Sequence, residues 1–236
     1  MRRLIDVLFS LCVLLVFLPV ILVISLAIYL YDFHSPYYVA QRVGRGRVPF
    51  NMVKFRSMVV NADKVGGSST SATDKRITPM GHIVRRYKLD EIPQFWNVLK
   101  GDMSVVGPRP NVPGGVAVYT AEELKLLDVR PGVTDLASIV FADEGDILQG
   151  HRDPDLAYDQ LIRPYKSRLG LLGAASKSTW LYIRIIWLTF LALFSRTGAL
   201  RGVNRALVSL KAPPELIEVS RRQAPLVPGV PPGMSA

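Results

Sequence analysis

The sequence predicts an α+β fold that is mainly helical and is associated with a membrane at two segments. The first segment is a run of 24 uncharged residues near the N-terminus, Val7–Leu30. The second is a shorter apolar stretch near the C-terminus, Trp180–Phe194. Short strand-like segments and signals for helix starts lie between them, which indicates a small globular domain of mixed secondary structure.

Composition excludes several classes of protein. A chain of 236 residues suits one domain of ordinary size with extra segments. Its single cysteine excludes an internal disulfide framework and a cysteine-built zinc site. The net charge of +10 would suit a nucleic-acid binder. A mean hydropathy of +0.24 is high for that class, however, so we expect no nucleic-acid partner.

The position of the charge indicates a different partner. Residues 1–56 have a balance of +5 and residues 196–236 a balance of +4, whereas residues 57–195 have only +1. Nearly all of the excess therefore borders the two apolar stretches. Polybasic flanks beside apolar segments are typical of surfaces that bind anionic lipid on the cytoplasmic face of a membrane.

The run Val7–Leu30 is long enough to enter a membrane, since a straight helix of that length would measure about 36 Å. It is too long for the apolar region of a signal peptide, and no small-residue cleavage site follows it. Pro19 lies in the middle of the run, where it removes a backbone hydrogen bond and bends the helix. Both flanks are basic, which places both in the cytoplasm. The residues alone leave a re-entrant hairpin and a single span open.

The stretch Trp180–Phe194 is short for a span and is interrupted by Arg184. Its aromatic residues favour membrane interfaces and predict an amphipathic helix at the membrane surface over residues 177–196. The alternative is a core helix of the globular domain. Residues 197–236 form a basic, proline-rich tail, and we expect residues 212–236 to be largely disordered.

The middle of the chain is the candidate catalytic domain. Two short strands, Tyr37–Ala40 and Phe50–Phe55, flank a glycine-rich turn. Pro93 fits the first turn of a helix that ends at Gly101. Asp90 fits the N-cap of that helix, which would give its carboxylate a purely structural role.

A capping role does not account for the charged residues that accompany Asp90 and its neighbour Glu91. Pro108 and Pro110 fix the backbone around Arg109, and a rigid guanidinium can bind a diphosphate through paired hydrogen bonds. Two carboxylates and a fixed arginine suit phosphoryl transfer, in which one acid attacks phosphorus, a metal bridges oxygens and the arginine neutralises charge. The basic residues we place with this pair of acids are Lys54, Arg56, Arg85 and Arg109.

Several segments together resemble the bacterial sugar transferases, the monotopic phosphoglycosyl transferases that act on polyprenyl phosphate. The longest segment is LDEIPQFWNVLKGDMSVVGPRP at Leu89–Pro110, which is far more specific than a short motif. The resemblance extends over about residues 1–170. The other matching segments are Gln41–Gly44, Lys54–Met58, Ile77–Gly81 and Arg130–Thr134.

The resemblance implies a reaction and a cofactor. Members transfer a phosphosugar from a UDP-sugar to a polyprenyl phosphate, usually undecaprenyl phosphate, release UMP and need Mg²⁺. The family's Asp-Glu pair falls on Asp90 and Glu91, which would hold the metal. Asp90 would also attack the sugar-linked phosphate and form a covalent phosphosugar intermediate. The substrate-binding residues implied are Lys54, Arg56, Arg85, Pro108 and Arg109.

The resemblance also implies a topology. The family's N-terminal helix is re-entrant and breaks at a proline, here Pro19, so it favours the hairpin. We therefore expect residues 1–31 to be a re-entrant helix-break-helix. Residues 32–176 would be a small cytosolic catalytic domain on the cytoplasmic face of the bacterial inner membrane. The oligomeric state is left open.

The chain departs from the family at two places. Leu18 precedes the breaking proline, where members commonly have Ser, and the segment after Thr134 differs. Many members continue with glycine after the match to Thr134, but this chain has Asp135–Ser138, so sugar recognition in this region cannot be inferred from the resemblance. Two alternatives to the covalent mechanism also stay open. One is direct transfer in which Asp90 only binds the metal, and the other is a non-catalytic membrane-anchored scaffold.

Overall fold

A computed structural model describes residues 1–62, 65 and 73–234, and it begins with helices α1 (Arg2–Val16) and α2 (Leu18–Asp32). The two are bent by 60° around Phe17. Pro19 is the second residue of α2, where its missing N–H removes a hydrogen bond that would join the two helices into one. The helix-break-helix predicted for this segment is present, with the bend two residues before Pro19.

Both N-terminal helices carry apolar side chains on their surfaces. Within the described residues, no single helix combines the length and the apolar character needed to cross a bilayer. α1 and α2 satisfy both conditions only together, as the bent pair. Their exposed apolar side chains include Leu4, Leu8, Leu15, Leu22, Val23 and Leu26.

An antiparallel hairpin follows α2. Strands β1 (Tyr37–Val43) and β2 (Pro49–Phe55) pair in a register that sets Ala40 against Met52. Both predicted strands are therefore found, and the first is three residues longer than predicted. Phe55 is buried at the end of β2, and Lys54, which points to the opposite face of the strand, is half-buried.

Two short helices joined by a turn come later in the chain. Helix α3 (Pro79–Arg86) begins at Thr78, whose hydroxyl accepts a hydrogen bond from Gly81 N at 2.9 Å. A 3₁₀ turn over Leu89–Glu91 leads to α4 (Gln94–Lys100). Gly101 ends α4 with φ = 96°, a left-handed conformation that favours glycine, as predicted.

A second, parallel sheet positions the chain around Arg109. Strand β3 (Ser104–Val106) pairs with β4 (Gly132–Thr134). A Cβ atom on Gly132 would lie 2.1 Å from Gly107 N, so no larger residue fits where the two backbones cross. Gly132 N also donates to Pro108 O at 2.9 Å. The start of the Pro108–Pro110 turn is therefore fixed against β4.

Apart from β4, the described residues from 113 to 234 are mainly helical and hold the largest part of the hydrophobic core. A 3₁₀ turn, Glu123–Asp128, precedes β4, and a π-helical turn, Tyr158–Ile162, leads directly into the helix that begins at Arg163. Buried side chains from several helices meet in this core, including the fully buried Leu136, Leu169 and Val203. The helices are α5 (Pro113–Ala117), α6 (Leu136–Val140), α7 (Glu144–Ile147), α8 (Pro154–Ala157), α9 (Arg163–Ala175), α10 (Thr179–Ala192), α11 (Arg196–Ser209) and α12 (Pro214–Arg221). The α+β, mainly helical class is therefore confirmed.

Helix α10 falls on the predicted surface helix, but it is not amphipathic. One face buries Leu181, Ile185 and Leu188 in the core. The outer face is apolar as well, with Trp180 73% exposed and Trp187 60% exposed. The predicted amphipathic character is absent because Trp180–Phe194 contains only one charged residue, and that residue, Arg184, donates to Gly202 O at 3.1 Å.

The C-terminal tail is more ordered than predicted. Residues 214–221 form α12, which begins at a proline and buries Leu216. The proline-rich segment after it binds the domain through backbone groups: Val227 O accepts from Tyr165 Oη at 2.7 Å, and Gly229 N donates to Gln160 O at 3.0 Å. The disorder predicted for residues 212–236 is wrong over the described part, because extended chain can dock through its carbonyls without hydrophobic periodicity.

Several basic residues of the two chain ends bind protein rather than stay free for lipid. Arg3 Nη2 donates to Leu99 O at 2.8 Å, at the C-terminal end of α4, where a positive charge is favoured. Arg196 forms an ion pair of 2.8 Å with Asp143, and Arg222 one of 3.1 Å with the same acid. Arg201 and Arg205 are exposed.

A buried acid joins α1 to the strand that leads to Arg109. Asp6 is 2% exposed, and its carboxylate accepts from Val105 N at 2.8 Å, from Ser104 Oγ at 3.0 Å and from Tyr182 Oη. These partners lie on β3 and α10. The bent N-terminal pair is therefore attached to the domain by a polar contact inside the protein.

Candidate active site

Asp90 and Glu91 lie in the 3₁₀ turn between α3 and α4. The residue before the turn, Lys88, has φ = 56°, which turns the chain sharply out of α3. Asp90 is 8% exposed. The predicted capping role is wrong: the N-cap of α4 is Pro93, and no side chain caps that helix. The structure thus removes the purely structural explanation for the Asp90 carboxylate.

Arg109 binds the second acid of the pair. Its Nη1 donates to Glu91 Oε2 at 3.2 Å and its Nη2 to Glu91 Oε1. Lys54 Nζ lies 3.8 Å from the same Oε1. Burial raises the pKa of Glu91, but the charges of Arg109 and Lys54 lower it by more, so this carboxylate is held ionised. The prediction that brought Glu91, Arg109 and Lys54 together agrees with this geometry.

Asp90 has a different environment from its neighbour. Over the described ranges of the chain, its carboxylate takes part in no hydrogen bond or ion pair. Burial raises its pKa, and the charge of Glu91 raises it further, against the opposing charges of Lys54, Arg109 and Arg85. A buried carboxylate without partners, surrounded by cations, is suited to attack an electrophile or to bind a cation.

Two further cations face this pair. Arg85 on α3 forms no ion pair with any described residue; burial lowers its pKa and the charge of Asp90 opposes that shift. Arg42 on β1 was not singled out from the sequence, although it lies in the matching segment Gln41–Gly44. Burial lowers the pKa of Arg42, and the charge of Arg109 contributes to that effect, which places Arg42 beside the site.

Arg56 does not belong to the site. Its Nη2 donates to Asp32 Oδ1 at 2.6 Å and its Nε donates to Ser35 O at 2.8 Å, at the end of α2. The sequence grouped it with Lys54 because the two are close in the chain. The chain has left β2 by residue 56, however, and Arg56 N bonds Pro36 O at 2.8 Å instead. Its guanidinium therefore connects the hairpin to α2.

Pro108 and Asn97 are buried residues that position the elements of the site. Pro108 is buried, and its carbonyl is fixed by Gly132 N, so it orients Arg109. Asn97 is fully buried: its Oδ1 accepts from Val53 N at 3.0 Å and its Nδ2 donates to Asn51 O at 2.7 Å. Asn97 thereby joins α4 to β2, the strand that carries Lys54. The sequence offered only its position inside the long matching segment as a signal.

The two acids can supply part of a magnesium site. No group of three or more His, Cys, Asp or Glu side chains that could hold a metal occurs in the part of the chain that the structure describes. Each oxygen of Glu91 accepts one hydrogen bond from Arg109 and keeps a further lone pair, whereas neither oxygen of Asp90 accepts a hydrogen bond from a described residue. Mg²⁺ is commonly held by one or two carboxylates together with substrate phosphates, and this donor set fits that arrangement.

The fold and the site define a candidate phosphoryl-transfer centre beside an N-terminal pair of apolar helices. The chain belongs to the bacterial sugar transferase family, whose model matches residues 1–196. The resemblance carried by the segment Leu89–Pro110 is therefore confirmed.

Three relatives illustrate the similarity. The chain is 37% identical, over 84% of its length, to an undecaprenyl-phosphate glucose phosphotransferase of Komagataeibacter xylinus, and covers 36% of that protein. It is 35% identical, over 84% of its length, to a UDP-glucose:undecaprenyl-phosphate glucose-1-phosphate transferase of Klebsiella pneumoniae, and covers 41% of it. It is 30% identical, again over 84%, to a UDP-N-acetylgalactosamine-undecaprenyl-phosphate N-acetylgalactosaminephosphotransferase of Aeromonas hydrophila, and covers 44% of it. The chain thus spans less than half the length of these relatives.

Proposed function

We propose that this chain is a phosphoglycosyl transferase that moves a sugar phosphate from a UDP-sugar to a polyprenyl phosphate and releases UMP. The observation that carries the proposal is the buried Asp90 carboxylate, which has no partner among the described residues and lies next to the Glu91–Arg109 pair. The printed names of the relatives support the substrate classes. The product, a polyprenyl diphosphosugar, would begin the synthesis of an envelope glycoconjugate.

In the first step, a carboxylate oxygen of Asp90 attacks the phosphorus that carries the sugar. A bond forms between that oxygen and phosphorus, and the bond from phosphorus to the bridging oxygen breaks. The electron pair leaves with the bridging oxygen, so UMP departs and the phosphosugar stays on Asp90 as an acyl phosphate. A raised pKa favours nucleophilicity in the ionised carboxylate, and the charges of Lys54, Arg109 and Arg85 oppose the rise.

In the second step, the terminal oxygen of the polyprenyl phosphate attacks the same phosphorus. The bond between Asp90 and phosphorus breaks, and its electron pair returns to the carboxylate. The product is a polyprenyl diphosphosugar and the free enzyme. In each step, one oxygen anion attacks phosphorus and another leaves with the electron pair of the broken bond. No oxidant or reductant is required.

The cations around the acids stabilise the phosphate charges in both steps. Arg109 is positioned by Glu91 and by the buried Pro108, so its guanidinium meets the substrate without first having to be ordered. Lys54, Arg85 and Arg42 add positive charge on the hairpin and α3 sides of the site. Asp90 and Glu91 are the carboxylates that would hold Mg²⁺ with the substrate phosphates. When bound, the metal neutralises charge on phosphate oxygens.

The substrates differ in solubility, and the exposed apolar surfaces suit that difference. A polyprenyl chain is held in the bilayer by roughly 0.8 kcal/mol for each buried CH₂ group, so the enzyme must act at the membrane. The bent α1–α2 pair would enter the membrane from the cytoplasmic face of the bacterial inner membrane and return to it. The outer face of α10, with Trp180 and Trp187, would lie in the interface beside anionic lipid.

A substitution at Asp90 tests the proposal. We expect Asp90→Asn to lower UMP release from a UDP-sugar and polyprenyl phosphate by on the order of 10³-fold or more, because a nucleophile is lost. Asp128→Asn makes the same chemical change at an exposed position and should leave the rate unaltered. Full activity in Asp90→Asn would place the reaction at another site and would refute the proposal.

A further inference from the structure

A second charged pair lies next to the proposed catalytic centre and has no role in the mechanism above. Lys166 Nζ on α9 contacts Glu144 Oε2 on α7 at 2.5 Å. The same Nζ lies 5.3 Å from the centroid of the Tyr158 ring. The Lys166 side chain is 17% exposed and that of Glu144 33% exposed, so the pair is open to solvent on one side.

The packing of α9 places this pair beside Arg109. Gly170 lies one helical turn after Lys166, on the same face of α9. A Cβ on Gly170 would be 3.9 Å from Pro108 Cβ and 3.9 Å from Asp135 Oδ2, so this face of α9 packs against the turn that holds Arg109. Glu91 first, and Glu144 to a smaller extent, raise the pKa of Arg109, which agrees with this proximity.

The segment that contains Glu144 also approaches the Asp90 turn. Lys88 Nζ, directly before that turn, donates to Ala142 O at 3.5 Å. Tyr158 opens the π-helical turn, a rare conformation that is frequent at functional sites. Three elements, α7, the π-helical turn and α9, thus present an acid, a phenol and an ammonium at the edge of one site.

The chemistry of the pair differs from that of the cations around Asp90. A diphosphate needs positive charge, and an ion pair with no net charge supplies little of it. A sugar, in contrast, needs donors and acceptors at fixed positions for its hydroxyl groups, often beside an aromatic ring. Glu144 can accept, Lys166 can donate, and Tyr158 can do both.

We propose that Glu144, Lys166 and Tyr158 form the subsite that binds the sugar hydroxyls and selects the sugar. The inference rests on the proposed function, since it assumes that a UDP-sugar reacts at Asp90. It assigns sugar recognition to residues after Thr134, a region in which the family resemblance does not indicate how the sugar is recognised.

Selectivity among sugars is the measurement that separates this role from a structural tether between α7 and α9. The full chain in lipid nanodiscs would be given UDP-glucose, UDP-galactose, UDP-N-acetylglucosamine and UDP-N-acetylgalactosamine, and kcat/KM for UMP release measured for each. We expect Glu144→Gln and Lys166→Met to lower the ratio between the best and the poorest sugar by about tenfold or more, because charged hydrogen bonds to one sugar are lost. Inhibition by UMP, which carries no sugar, should stay unchanged.

The chain offers a matched control in a second lysine–glutamate pair. Lys125 Nζ lies 2.7 Å from Glu122 Oε2, and both side chains are exposed. Glu122→Gln and Lys125→Met remove the same charges and should leave the ratio unaltered. Tyr158→Phe removes a single hydroxyl oxygen and gives a second route to the answer if either pair variant fails to fold.

The outcomes are distinct. An equal loss of kcat/KM for every sugar, or a parallel loss of UMP inhibition, would overturn the sugar subsite and leave the proposed function standing. Absence of UMP release from every sugar by the unsubstituted chain would overturn the proposed function, and the inference with it.

Discussion

Arg109 binds Glu91 and leaves the neighbouring Asp90 without a partner in the described part of the chain. The two acids are adjacent in sequence and both are shielded from solvent, yet their pKa values move in opposite directions. Burial and the charge of Glu91 raise the pKa of Asp90, whereas Arg109 and Lys54 overcome the effect of burial on Glu91 and lower its pKa. The pair therefore divides into a carboxylate without a partner and a carboxylate that positions the arginine.

The pH dependence of activity should reveal this coupling. Asp90 must be ionised to attack phosphorus, so activity should fall as the pH falls through its raised pKa. Glu91→Gln removes a negative neighbour and frees Arg109 to face Asp90. Both changes lower the pKa of Asp90, so the acidic limb of the kcat/KM profile should move to lower pH. Glu122→Gln should leave the limb in place. A limb that moves upward or stays fixed in Glu91→Gln would contradict the assignment.

Lys54 should set an alkaline limb. Burial first, with the charge of Arg109, lowers the pKa of Lys54 to about 8, against the opposing charges of Glu91 and Asp90. The ammonium is lost as the pH rises through that value, so KM for the UDP-sugar should rise above pH 8. Lys54→Arg keeps its charge to much higher pH, and its KM should stay level over the same range. The control is Lys125→Arg, and an unchanged alkaline rise in Lys54→Arg would show that another group titrates.

Replacement of Asp90 should stabilise the fold. An acid whose pKa is raised in the folded state makes folding less favourable when it is ionised. Asp90→Asn should therefore raise Tm at neutral pH. The gain should shrink as the pH falls through the folded-state pKa of Asp90 and vanish below the unfolded value of 3.8. Asp128→Asn should show no such trend in a thermal-unfolding series against pH. A lower Tm for Asp90→Asn at neutral pH would mean that the ionised carboxylate is stabilised in the folded protein, which contradicts the raised pKa.

The polar contact between α1 and the domain should contribute measurably to stability. Tyr182→Phe removes the hydroxyl that donates to the buried carboxylate of Asp6, which leaves that acid one hydrogen bond short. We expect a loss of about 1–3 kcal/mol in the free energy of unfolding. Tyr31→Phe changes an exposed tyrosine and should cost much less. Equal effects of the two substitutions in denaturant titrations would contradict the role of the contact.

Much of this architecture follows from local patterns in the sequence. Pro19 predicts a bend because proline has no backbone N–H to donate. Gly101 predicts the end of α4 because glycine readily adopts the positive φ found at helix ends. The segment Leu89–Pro110 contains Asp90, Glu91 and Arg109 and therefore predicts from sequence alone that they belong to one site. These features depend on residues that are close together in the chain, so they can be predicted from the sequence.

The features that sequence reasoning missed depend on contacts between distant elements. Arg56 binds Asp32 rather than the site, and no local pattern distinguishes it from Lys54. Asp90 looked like an N-cap, but the 3₁₀ turn carries it away from the start of α4. The tail looked disordered because its composition is rich in proline, and its docking on Tyr165 uses backbone carbonyls that composition does not report.

The most direct test of the account is incubation of the purified chain with a UDP-sugar alone, without polyprenyl phosphate. The covalent mechanism predicts release of UMP in an amount equal to the active enzyme. It also predicts a phosphosugar adduct that intact-mass spectrometry detects and peptide mapping assigns to Asp90. Neither UMP nor adduct should appear with Asp90→Asn. If the unsubstituted chain transfers the sugar when both substrates are present but forms neither UMP nor adduct with the UDP-sugar alone, transfer is direct and the nucleophilic role of Asp90 is refuted.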